Sequence, residues 1–91
     1  MSETYNTEAR EQLAGVVALL KSTLTDEDYR AAQSYLEANE LHVTFEHLCE
    51  QLYAYNVGIT LGVYKSLEAI GELLRYANRS HWEDLAPQVN R

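Results

Sequence analysis

Cysteine, proline, methionine, phenylalanine and tryptophan occur once each in this chain, and glycine only four times. A single cysteine, Cys49, cannot close an intramolecular disulfide, so nothing points to an oxidising compartment and a reduced cytoplasm is the expectation. Lysine and arginine are scarce too: seven against fourteen Asp and Glu, a formal charge of −7. That balance argues against nucleic acid or an anionic membrane as a direct ligand and makes a basic partner the natural one, while also keeping a small protein soluble. No apolar run approaches the length of a membrane span. The opening MSETYNTEAR has no basic segment followed by an apolar one, so no signal peptide is expected. Low-complexity tracts and internal repeats are also missing, and 91 residues are read as one domain, 1–91.

What is present is helical periodicity. A first helix is predicted from about Thr7 to Ser22, with Leu13, Val16, Val17, Leu20 and then Leu24 on one stripe. Thr25 followed by Asp26, Glu27 and Asp28 predicts an N-cap with acid at the positive end of the dipole. The second helix should end near Asn39 and bury Tyr29, Ala32 and Leu36. Leu41, Phe45, Leu48, Cys49 and Leu52 fall within an arc of roughly 100° and define the third helix, ending near Tyr55. Asn56 and Gly58 can take positive φ in the following turn, and Thr60 can cap a fourth helix. That helix is expected to run to about Tyr76, burying Val63, Leu67, Ile70 and Leu74, with Gly71 admitting a close neighbour and Asn78 available as its end. Ser80-His81-Trp82-Glu83 has the form of a capping box for a short fifth helix, whose Trp82, Leu85 and Val89 would close the bundle. No period-two alternation competes. The fold class read from the sequence is all-α: a small bundle of four main helices plus a short C-terminal one.

Groups that could carry chemistry do not converge. His42 and His47 are five residues apart, a spacing that sends them to different sides of a helix, so no metal site is expected and capping or solvated roles are. Cys49 belongs to the buried stripe, where a thiol behaves as a small apolar group. There is no phosphate loop, nucleophile elbow or histidine-supported serine. The expectation is a protein that is not an enzyme and uses no cofactor. The outer side of the third helix is more informative: Glu46, Glu50 and Tyr53 share one flank and Val43 adjoins it. Carboxylates can steer and pair with a basic partner, and tyrosine supplies contact area at low entropic cost. The plainer reading of the same residues is a solvated face, with most of the seven tyrosines at the core boundary.

The segment from Leu36 to Tyr53 resembles the small immunity proteins of the MafI type, which accompany polymorphic bacterial toxins, including those of contact-dependent growth inhibition. The resemblance rests on an acidic helix end followed by Leu41, Glu46 and the string Leu48-Cys49-Glu50-Gln51-Leu52-Tyr53. It extends from about residue 25 to 86, through the turn at Val57 to Thr60, Tyr64, Ile70, Gly71, Trp82-Glu83 and Leu85. The family often carries proline where this chain has Gly58, and a glycine turn where it has Tyr76-Ala77-Asn78. The resemblance implies a cytoplasmic inhibitor that binds the C-terminal domain of a cognate toxin, often a nuclease and in some cases an EndoU-like RNase, and masks its active site or substrate groove. The expected partner-binding residues are Glu37 and Glu40 together with Val43, Glu46, Glu50 and Tyr53 on the outer flank of the third helix. The alternative is a helical adaptor or regulatory subunit of a non-toxin assembly, including a homodimer built on surplus apolar surface of the first or fourth helix.

Overall fold

A computed structural model describes the backbone of residues 2–90 and the side chains of residues 7–90. Five α-helices follow one another: α1 (Ser2–Leu19), α2 (Asp26–Glu37), α3 (Leu41–Tyr55), α4 (Leu61–Leu73) and α5 (Ser80–Glu83), before a 3₁₀ turn at Ala86–Gln88. Among the described residues there is no strand, only an isolated parallel bridge between Ile59 and Val89. No helix of the described residues is long and apolar enough to cross a membrane.

Each helix is delimited by local chemistry. Thr25 accepts a hydrogen bond from the Asp28 amide (3.1 Å) and Thr60 one from the Val63 amide (3.0 Å), so both expected threonine caps form. α2 ends in a Schellman motif, with the Glu40 amide on the Tyr35 carbonyl (2.9 Å) and Asn39 at φ 61°. α3 ends one residue before Asn56, which is left-handed at φ 55°.

Three helices have ends that differ from those predicted. α1 starts at Ser2 and ends at Leu19, earlier at both ends than periodicity suggested, because Leu20 and Leu24 reach the core from a turn rather than from helix. α4 stops at Leu73 instead of Tyr76: Arg75 takes the left-handed position (φ 65°) and the Tyr76 amide closes back on the Gly71 carbonyl (3.1 Å). A Schellman end built on arginine carries no glycine signal. Ser80 does not cap α5; it is the first helical residue, its amide donates to Asn78 Oδ1 (2.9 Å), and Glu83 turns to Arg79 Nε (3.0 Å).

The core lies between all five helices. α1 packs on α4, α2 on α3, and α5 bridges α3 and α4. Leu13, Phe45, Leu48, Leu52, Leu67, Ile70, Trp82 and Leu85 are fully buried. Thr44 is buried as well and satisfies its hydroxyl on the Glu40 carbonyl (2.8 Å). Gly71 has the role its position suggested, since a Cβ there would overlap the Trp82 ring, at 2.6 Å from Cε3. Gly58 differs: its φ is not positive, and glycine fits because a Cβ would stand 2.5 Å from Asn90 Oδ1. The C-terminal segment is stitched beneath α3, with Gln88 Nε2 donating to the carbonyls of Leu52 (2.9 Å) and Val57 (3.0 Å). This stitching fastens the C-terminal segment to the end of α3 and the turn that follows it.

Candidate protein-binding surface

A helix advances about 1.5 Å and 100° per residue, so Val43, Glu46, Glu50 and Tyr53 lie within about 80° of one another over some 15 Å of α3, roughly. Val43, Glu50 and Tyr53 are exposed, Tyr53 to 59%. The string that carries the family resemblance therefore divides: Leu48, Cys49 and Leu52 belong to the core, whereas Glu50 and Tyr53 belong to the surface.

Glu46 stands apart from the other expected residues. It is half-buried and accepts a 2.6 Å hydrogen bond from the Tyr76 hydroxyl, which ties α3 to the turn after α4. Tyr76 in turn packs between Phe45 (5.2 Å between centroids) and His81 (4.7 Å). Glu37 and Glu40 are exposed at the end of α2 and the start of α3, and Arg10 donates to the neighbouring Leu36 carbonyl (3.4 Å). That end of the strip thus has a cation nearby. Glu50 and Tyr53 form the other end.

The fold adds residues there that helical spacing on α3 does not reveal. α5 lies beside α3 and leaves a cleft of about 150 Å³ lined by Cys49, Glu50, Tyr53, Ser80, His81 and Asp84. On the far side of Tyr53 a wider cleft of about 410 Å³ is lined by Tyr53, Asn56, Asp84, Pro87 and Gln88. Tyr53 and Asp84 border both.

The charges are distributed unevenly around α5. On its α4 side Arg79 pairs with Glu68 (3.1 Å), Glu72 (3.3 Å) and Glu83 (3.0 Å), and its guanidinium stands 5.0 Å over the Trp82 ring. The hydrogen bond that Arg79 donates to Glu83 is the largest influence holding the guanidinium more firmly protonated than usual. On its α3 side, Glu50 and Asp84 have no cationic partner among the described residues. The sequence carries the reason: no Lys or Arg stands between Arg30 and Lys65, nor from residue 80 to 90. That cation-free pattern is the signal from which Asp84 could have been found. The chain matches no family model, no curated protein and no solved structure.

The remaining reactive groups are committed to structure. His42 Nε2 meets the Leu74 carbonyl (3.1 Å) at the end of α4, and His47 Nε2 the Asp28 carbonyl (3.1 Å), so both tie helices together. Tyr55 donates to Asp28 Oδ2 in the same corner. Among the described residues no group of three or more His, Cys, Asp or Glu converges to hold a metal ion. Burial, followed by the Glu50 and Glu46 charges, pushes the Cys49 thiol up to about 12, leaving it protonated and weakly nucleophilic. The chemistry this face offers is acceptance of positive charge beside an aromatic ring.

One further surface is apolar. Leu61, exposed to 55%, shares a groove of about 460 Å³ with Tyr64, Ala86, Val89 and Asn90, and Leu19 of α1 is exposed as well.

Proposed function

We propose that this protein is an immunity protein that neutralises a cognate toxin domain by binding it and covering its active site or substrate groove. The observation that carries the reading is the face of α3 and residues 80–90, where Tyr53 stands exposed beside Glu50 and Asp84, two carboxylates with no cationic partner among the described residues. A toxin that cleaves RNA or DNA needs a basic groove to hold its substrate, and an acidic helical face can enter that groove by presenting the same sign of charge. The resemblance of the α3 string to MafI-type immunity proteins adds the toxin to this picture and favours a nuclease, including the EndoU-like kind. Inhibition of this type needs no turnover and no cofactor, and its place is the cytoplasm of the protected cell.

Co-expression tests the reading. The chain should restore growth to cells producing the toxin domain encoded beside it, and the two should co-purify as a complex. Growth arrest despite full expression, with no complex recovered, would remove the toxin from the account. A second reading, an adaptor or self-associating subunit, is favoured by the Leu61 groove alone. Sedimentation of the isolated chain as a dimer that Leu61→Glu dissociates would support it.

A further inference from the structure

We propose that Tyr53 is a ridge between two receptor clefts, each of which takes an arginine side chain from a basic segment of the partner protein. The inference rests on reading this face as the docking surface and names the chemistry it selects. Tyr53 and Asp84 line both clefts, so one aromatic ring and one carboxylate serve two cations, with Glu50 adding a second carboxylate to the narrower cleft. Among the described residues neither carboxylate has a cationic partner, whereas the carboxylates on the opposite side of α5 already share Arg79.

Charge complementarity requires a cation, and shape decides which one. The narrower cleft, at about 150 Å³, matches a cavity that admits a benzene-sized group. A planar guanidinium can lie against the Tyr53 ring and still present paired N–H donors to a carboxylate; a compact, strongly hydrated ammonium does one or the other. A second copy of the chain does not fit as occupant, because it would bring the same acidic face and a net charge of −7.

The test uses the full chain and three peptides of equal length, hexa-arginine, hexa-lysine and hexa-citrulline, titrated under amide-resolved NMR. Hexa-arginine should shift the amides of Glu50, Tyr53, His81 and Asp84 and bind more tightly than hexa-lysine, while hexa-citrulline should leave the spectrum unchanged. Tyr53→Ala and Asp84→Asn should each weaken hexa-arginine by about tenfold, as for residues central to a binding site, and Glu27→Gln on α2 by less than about twofold. Both sensitive side chains are exposed, so unchanged circular dichroism is expected. Equal weakening by Asp84→Asn and Glu27→Gln, or equal affinity for arginine and lysine, would overturn the proposal as diffuse attraction. Localised arginine binding without protection from the toxin would sink the immunity reading alone. Protection with diffuse peptide binding would sink only the two-cleft proposal.

Discussion

Two glycines in helices should respond to alanine with opposite signs, because the surroundings of their absent Cβ atoms differ. Glycine inside a helix ordinarily costs about 1 kcal/mol relative to alanine, from the extra freedom of the unfolded chain. Gly15, in α1, has nothing within 4 Å of where a Cβ would be, so Gly15→Ala should stabilise the protein by about 0.5–1 kcal/mol. At Gly71 the new methyl would sit 2.6 Å from Trp82 Cε3 and 2.7 Å from Cη2, well inside normal carbon contact. The ring cannot simply move away. Phe45 packs on it at 6.0 Å between centroids, Arg79 lies over it, and it is fully buried. Overpacking of this kind costs about 1–3 kcal/mol, and because the gain in helix propensity is common to both sites, the two alanine variants should differ by about that amount. Urea unfolding followed by circular dichroism would measure this, with m compared to show that the unfolded states match. A Gly71→Ala midpoint equal to or above that of the parent would refute the account of how α5 is seated on α4.

Other consequences are open to measurement. Glu50→Lys with Asp84→Lys should slow association with a basic toxin domain and flatten its salt dependence while circular dichroism stays unchanged; unaltered rates across a salt series would relocate the steering surface. Phe45→Ala or Leu48→Ala should cost about 2–5 kcal/mol in urea unfolding, and binding lost in these variants should return under conditions that restore the fold. Cys49 should resist an aromatic disulfide reagent at pH 8 in the native protein and react at once in urea. Because its thiol is raised from 9.0 to about 12 on folding, stability should be unaffected by this group below pH 9 and decline as pH rises towards 12. A Cys49→Ala variant that lost stability just as steeply over that range would assign the decline to other groups.

The four long helices were legible because each keeps an apolar stripe, most completely in α3, where Leu41, Phe45, Leu48, Cys49 and Leu52 are all buried. Caps made by threonine were legible too, since the hydroxyl acts on an amide three residues along. Ends that depend on tertiary placement were not. Arg75 takes a conformation that residue type does not advertise, and Arg79 draws Glu83 away from Ser80 because Glu68 and Glu72 hold the guanidinium beside it. The same division runs through the candidate surface. Glu50 and Tyr53 could be placed by angle on one helix, but Glu46 is engaged by Tyr76, thirty residues away along the chain. Asp84 joins the surface only once Trp82 and Gln88 have fastened the C-terminal segment to the bundle.

Binding to the proposed toxin partner can be measured with the parent protein and with a Tyr53→Ala, Glu50→Lys variant of unchanged fold. A one-to-one complex is expected with the parent, and loss of affinity by at least about a hundredfold in the variant, as when an anchor residue and a paired charge are both removed. A complex of equal affinity with both proteins would contradict the assigned face. No complex with the parent would contradict the proposed function.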